Sequence, residues 1–197
     1  MGIVTSMKNE IKLRSDIPQF LQRHLLNKRI CEVGVRFAYN FQQLLSANPD
    51  LAVAVDHWHI GRSIGEQDTG LEQGKLDKIY LDVVMRYIDE PCVKILRARS
   101  DEAAGRFPLM YFDYVYLDAD HTHVGCLRDI RSWWPRVRQG GIIAGHDYTD
   151  TTSRNGATFG VIQAVDVFMA EKGIDKNLLH ITDAGFRSWM LFKQDGE

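Results

Sequence analysis

The stretch from Phe112 to Tyr148, FDYVYLDADHTHVGCLRDIRSWWPRVRQGGIIAGHDY, constrains the fold of this chain most. It holds two short apolar runs, Tyr114 to Leu117 and Gly141 to Ala144, separated by a segment that reads as a helix over Val124 to Val137. Near-continuous apolar strands fit burial on both faces, the condition of a parallel sheet covered by helices. Each run ends in groups that carry chemistry: Asp118, Asp120 and His121 after the first, His146 and Asp147 after the second. In an open parallel sheet, ligands bind outside the carboxyl ends of the strands. Two neighbouring strand ends would aim these groups into one crevice.

The rest of the chain alternates in the same way. Asp16 and Pro18 can start a helix whose stripe is Phe20, Leu21, Leu25 and Leu26. A strand over Arg29 to Val35 runs through Gly34, and a helix over Tyr39 to Ala47 follows. Leu51 to Val55 is a second strand, closed by Asp56. A polar, glycine-bearing loop over 57–74 reads as a cover on the strand ends, since loops this long in compact domains are commonly lids or binding loops. Lys75 to Ile88 has helical spacing, Cys92 to Leu96 is a strand, and Ser100 can cap a short helix beginning with Asp101 and Glu102. Phe159 to Glu171 is a helix stopped by Gly173. Leu178 to Thr182 and Ser188 to Lys193 read as two strands joined around Gly185, so one strand runs antiparallel. Trp133 and Trp134, before Pro135, suit core packing. Residues 1–197 read as one α/β domain, doubly wound, with a helical segment over 1–28.

Composition narrows the function classes. The net charge is -2, which gives no electrostatic reason for a nucleic-acid partner. No apolar run approaches the roughly 20 residues of a membrane span, and no signal peptide opens the chain. MGIVTS matches the loose N-myristoylation pattern, which short stretches meet by chance. Cys31, Cys92 and Cys126 are dispersed and odd in number, without CxxC. They read as small buried apolar side chains in a reducing, cytoplasmic compartment.

At the first strand end, ICEVGVRFAYNF places Gly34 where the backbone must turn toward a helix and can approach a ligand. Asp56 closes the next strand 22 positions later, where a carboxylate can bind both hydroxyls of a ribose. Arg36 and Ala38 stand where a dinucleotide fold places further glycines for its pyrophosphate. That favours a nucleoside cofactor without phosphates over NAD.

With these pieces in place, the chain resembles the class I S-adenosylmethionine-dependent methyltransferases, and in particular small single-domain enzymes similar to macrolide sugar O-methyltransferases. The resemblance rests on CEVGVRF, VAVDHW, ILRARSDEAA, FDYVYLDADHTHVGCLRDI and GGIIAGHDY, from Cys31 to Tyr148, with FGVIQAVDVF extending it. It implies a seven-stranded Rossmann-like sheet of order 3-2-1-4-5-7-6 with strand 7 antiparallel. It implies that Glu32 and Gly34 hold the methionine end of S-adenosyl-L-methionine, that Asp56 takes the ribose, and that Ser100 and Asp101 lie near the adenine. His57 and Trp58 would wall the adenine pocket, Trp58 offering a stacking face. Arg36 must then point away from the cofactor.

The same resemblance implies chemistry at the last two strand ends. Positions matching the metal ligands of enzymes similar to catechol O-methyltransferase are Asp118, His146 and Asp147. Such a set suits Mg²⁺, with imidazole shifting the preference toward Mn²⁺ and its neighbours. Without a metal, Asp118 would bind the cofactor's ammonium, while His146 and Asp147 would orient the acceptor. His121 falls where the family often carries a catalytic base, and imidazole suits proton abstraction near neutral pH. His123 competes for that role, and Asp120 can orient either ring. Asp129 reads as structural, through Arg128 or Arg131. Tyr148, Thr149 and Asp150 begin a loop beside the acceptor site, where Arg154 could meet an anion or simply be solvated.

The leading reading is therefore O-methylation of a hydroxylated small molecule. An NAD-dependent oxidoreductase would explain the alternation and Asp56 but leaves HDY unexplained. A non-catalytic cofactor-binding protein of the same fold is the third reading. Little of the chain lies beyond the core to cover an acceptor, so a homodimer is one way to complete the site.

Overall fold

The computed structural model describes residues 2–24, 28–59, 72–152, 158–183 and 187–194. Seven strands form one sheet: β1 Arg29–Val33, β2 Leu51–Asp56, β3 Val93–Arg97, β4 Phe112–Leu117, β5 Val137–Gly145, β6 Leu179–Ile181 and β7 Trp189–Phe192. Their order is β3-β2-β1-β4-β5-β7-β6. The pairs among the first five are parallel, and β7 runs antiparallel to both β5 and β6. The α/β class, the strand order and the antiparallel seventh strand thus stand as expected from sequence.

Helices cover both faces. Helices α1 Ile3–Glu10, α2 Ile17–His24, α3 Tyr39–Leu44 and α4 Gln73–Arg86 supply residues to one core; α5 Ser100–Ala104, α6 His123–Trp133 and α7 Val161–Lys172 supply the other. Side-chain alternation decides which face a strand residue serves. Ile30, Tyr114, Tyr116, Ile142 and Ala144 pack with Met7, Phe20, Phe41 and Tyr87. Cys31, Val33, Val115, Leu117 and Ile143 pack with Ile130, Trp133 and Phe168. Trp133 and Trp134 are core residues, as their position before Pro135 suggested.

Several boundaries differ from the sequence reading, for local reasons. The segment after α6 tightens into a 3₁₀ turn at Trp134–Arg136, where Pro135 has no N–H to continue the helix. Val137, assigned to the helix, instead begins β5 opposite Phe112, so that strand is far longer than Ile142–Ala144. Ser100 does not cap α5. The cap position is Arg99, and the Ser100 hydroxyl accepts from Trp133 Nε1 at 3.0 Å. Helix α1 falls inside the segment over 1–28 read as helical, and of its residues only Met7 is buried. Of the 57–74 cover, 60–71 lie outside the described residues, as do Arg154 and Gly185. Among the described residues no helix is long and apolar enough to cross a membrane.

Candidate active site at the ends of strands β1, β4 and β5

The sheet ladder continues past the strand ends and sets the site. Asp118 N donates to Val33 O at 2.7 Å, and His146 N donates to Leu117 O at 3.0 Å. Gly34, Asp118 and His146 therefore sit side by side. Gly34 has φ +91°, and a Cβ there would stand 2.0 Å from Asp118 O. Its first duty is thus to let two strand-end turns touch, beyond the approach to a ligand expected from sequence.

The β1 turn departs from glycine without departing from its geometry. Arg36 and Ala38 have φ +46° and +64°, the left-handed region that costs a non-glycine residue about 1 kcal/mol or more. So the two positions where glycines were missing still adopt a glycine-like backbone. Arg36 lays its guanidinium over the Phe37 ring, 5.0 Å from the centroid, while its N–H donates to Asp56 Oδ2 at 2.8 Å. Asp56 Oδ1 accepts from Trp58 N at 2.7 Å. Each Asp56 oxygen keeps a further lone pair for a ligand hydroxyl.

These residues line a cavity of about 490 Å³. Glu32, Gly34, Asp56, His57, Trp58, Ser100, Asp118, His121, His146 and Asp147 all border it. Asp101 does not line it: it is exposed and accepts from Glu102 N, next to Ser100, which does. Trp58 borders the cavity with little exposure, 1%; its ring packs on Tyr80, centroids 5.0 Å apart, and its Nε1 donates to Arg36 O.

Two buried polar atoms on the α3 side of the cavity have no hydrogen-bond partner among the described residues: Glu32 Oε2 and Asn40 Nδ2. One accepts and the other donates. An unsatisfied buried polar group costs about 1–3 kcal/mol, so the pair marks where a ligand's own polar ends belong. Burial, then the nearby Asp118 charge, pushes the Glu32 carboxyl well above the usual carboxylate range. A third orphan is Asp129 Oδ1, 2% exposed, with Arg128 Nε 3.7 Å away. Burial pushes its pKa up to about 7. Arg131, the other partner expected for Asp129, instead pairs with Glu171 on α7.

The reactive cluster forms at the β4 and β5 ends. His121 Nε2 lies 3.2 Å from Asp118 Oδ1 and 3.5 Å from Asp147 Oδ2. His146 Nδ1 lies 3.3 Å from Asp147 Oδ1 and 3.5 Å from Asp118 Oδ1. Burial alone would lower the His121 pKa, but the Asp118 hydrogen bond and the Asp118, Asp147 and Asp120 charges outweigh it, and the net direction is up. Burial would raise Asp147, yet its bond to His146 and the charges of His146, His121 and Arg14 carry it down. Asp147 has φ +48°, a conformation an aspartate tolerates better than most residues and one that recurs at functional sites.

Local structure separates His121 from His123. Thr122 caps α6, its hydroxyl accepting from Gly125 N at 3.1 Å. His123 is then the first helical residue; it stays outside the cavity lining, and its Nδ1 is buried without a partner. Asp120 Oδ1 accepts from Thr122 N and Oγ, and its Oδ2 lies 3.9 Å from Arg128; its charge still acts on His121. Phe159 and Gly160 pack against His121, with Gly160 N donating to His121 O at 2.9 Å and the Phe159 ring 5.5 Å from that of His121.

For a divalent ion, the donor atoms that meet within 4.8 Å of one another belong to Asp118, His121 and His146. That set trades Asp147 for His121 relative to the sequence expectation. A carboxylate with two imidazoles suits Mn²⁺, Fe²⁺ or Zn²⁺ better than Mg²⁺.

Fold and cavity together are those of a methyltransferase, and the comparisons with known proteins agree. A family model described as a methyltransferase domain matches residues 31–148, more than half of the chain, and the chain belongs to that family. A solved protein from Corynebacterium glutamicum is 12% identical, with 99% of this chain and 91% of that one covered and a TM-score of 0.63. The O-methyltransferase NovP is 12% identical over 92% of this chain and 79% of its own, TM-score 0.62. An O-methyltransferase from Bacillus cereus, solved in complex with SAH, is 14% identical over 91% and 80%, TM-score 0.58. No curated protein sequence matches. Sequence reasoning missed Arg14 and Asn40, both of which border the cavity. Asn40 was legible only as the second residue of a helix, and nothing in the N-terminal segment marked Arg14.

Proposed function

We propose that this protein transfers a methyl group from S-adenosyl-L-methionine to a hydroxyl of a small molecule, with His121 as general base. The observation that carries the reading is that His121, Asp118, His146 and Asp147 share one cavity with Asp56, Glu32 and Asn40. When bound, the donor supplies an electrophilic methyl on its sulfonium. Asp56 suits the ribose hydroxyls, Glu32 an ammonium, and Asn40 a carboxylate. His121 takes the acceptor's proton as the oxygen–carbon bond forms and the sulfur–carbon bond breaks. Asp118 and Asp147 both face its Nε2 and stabilise the cation it becomes. A divalent ion held by Asp118, His146 and Asp147, leaving His121 as base, would lower the acceptor's pKa and orient it.

Supporting considerations come from the bulk of the chain. The three cysteines are free, which fits a cytoplasmic setting. A net charge of -2 favours a small-molecule acceptor over nucleic acid, and a homodimer is one way to cover the acceptor. The methyltransferase family match sets the oxidoreductase reading aside.

Calorimetry tests the donor: S-adenosylmethionine or S-adenosylhomocysteine should bind and NAD should not. Methyl transfer to a panel of hydroxylated acceptors, with and without chelator, then tests the chemistry. Turnover unaffected by chelation removes the metal. No transfer to any acceptor, with donor binding intact, favours the non-catalytic reading.

A further inference from the structure

Arg14 lies outside the segment shared with the methyltransferase family, yet it borders the same cavity. It sits in a 3₁₀ turn, Arg14–Asp16, ahead of α2. That turn is fixed from within, because Asp16 Oδ2 accepts from Lys12 N at 2.9 Å and Leu13 N at 2.8 Å. It is also tied to the far edge of the sheet. His180 Nε2 donates to Ile11 O at 2.7 Å, and Asp183 N donates to Lys12 O at 2.8 Å. The segment carrying Arg14 is thus anchored on β6 and its neighbour, while the Arg14 side chain reaches the first and fourth strands. Its charge is felt by Glu32, Tyr114, Tyr116 and Asp147.

Two orphaned atoms share this part of the cavity. Glu32 Oε2, 1% exposed, and Asn40 Nδ2, 9% exposed, have no hydrogen bond of full geometry, although the Asn40 amide is near enough to the Glu32 carboxyl to draw its pKa down against burial. An ammonium answers the first. A carboxylate answers the second and also suits a guanidinium, whose planar fork matches it in two parallel hydrogen bonds. A ligand bearing both groups on one carbon, an α-amino acid, would satisfy all three residues at once. We infer that Arg14 and Asn40 bind the carboxylate of the donor's aminoacyl end while Glu32 binds its ammonium, so that the N-terminal segment forms the wall of the donor site. This deepens the proposed function and rests on S-adenosylmethionine as donor.

The test compares two ligands that differ at this end. S-adenosylhomocysteine keeps the amino acid, and 5′-methylthioadenosine replaces it with a methyl. Both are titrated calorimetrically into wild type, Arg14→Gln and Arg14→Lys. Arg14→Gln should weaken S-adenosylhomocysteine roughly tenfold or more, the loss expected for a charge-assisted hydrogen bond, and leave methylthioadenosine unchanged. Arg14→Lys should recover part of the difference. Unchanged methylthioadenosine affinity also shows that the variant is folded with its cavity intact. An Arg14→Gln protein that binds S-adenosylhomocysteine like wild type overturns the assignment; if its acceptor KM alone rises, the carboxylate belongs to the acceptor. Equal loss of both ligands overturns it too, since Arg14 would then shape the cavity without reading the carboxylate. If wild type binds neither ligand, the donor reading itself fails. If wild type prefers S-adenosylhomocysteine and Arg14→Gln preserves that preference, the inference about Arg14 fails alone.

Discussion

The turn after β1 and the turn after β5 border the same cavity but are built on opposite terms. The β1 turn works through its backbone. Gly34, Arg36 and Ala38 all have positive φ, Arg36 offers an N–H to Asp56, and its side chain lies on Phe37. The β5 turn works through side chains, His146 meeting Asp118 and Asp147 meeting His121, each at 3.5 Å. A backbone-built site tolerates unexpected residues if they can take the conformation. A side-chain site tolerates almost none, because each atom is specified.

The largest effect that would sharpen this contrast is at Gly34. Gly34→Ala places a Cβ 2.0 Å from Asp118 O at φ +91°, and neither backbone can yield cheaply. Loss of several kcal/mol, enough to unfold many domains, is expected in denaturant titration. Next is His121→Ala, which should lower kcat about 10²- to 10⁴-fold with donor affinity retained. A near wild-type rate would move the base elsewhere.

The pH profile comes third. His121 accepts a proton only when neutral, and its carboxylate neighbours raise its pKa. The rising limb of kcat/KM should therefore lie above the ordinary imidazole value near 6.5. Asp147→Asn removes one of those charges and should move the limb to lower pH. The same raised pKa makes the His121 contribution to stability full below about pH 6.5, and it is lost as pH rises through the folded value.

Asp129 acts in the same direction but over a lower pH range. Its folded pKa of about 7 lies above that of an unfolded aspartate, so the native state holds the extra proton and stability falls as pH rises from about 4 toward 7. Asp129→Asn should accordingly stabilise the protein at pH 8 by on the order of 2 kcal/mol and do little at pH 4. Equal effects at both pH values would place the cause in packing. The smallest effect is expected at Arg36→Gly. Relief of the left-handed backbone offsets the lost contact with Phe37, so stability should shift by under about 1 kcal/mol and donor affinity by less than twofold. A tenfold loss of affinity would make the β1 turn a side-chain site after all.

Much of the fold was legible because burial leaves its mark on consecutive residues. The strands VAV and IIA and the closing Trp189–Phe192 are near-continuous apolar runs, and the helix before Pro135 carries an apolar stripe. Boundaries slipped where a local bond overrode that pattern, as at Val137 and Ser100. At the site, acids and imidazoles following apolar strands were visible as a motif. Trp58 was ambiguous, because an aromatic next to Asp56 reads the same whether it faces a ligand or packs on Tyr80.

The sequence by itself determined the sheet, its helical layers and the presence of Asp118, His121, His146 and Asp147 at strand ends, since alternation and strand length are properties of consecutive residues. Only the tertiary structure decided that His121 and not His123 enters the cavity, that Asp129 Oδ1 is left without a hydrogen bond, and that Arg14 arrives beside Glu32. Those outcomes depend on residues far apart in the chain being carried to one place by hydrogen bonds such as His180 to Ile11, and no local pattern records where a distant segment will dock.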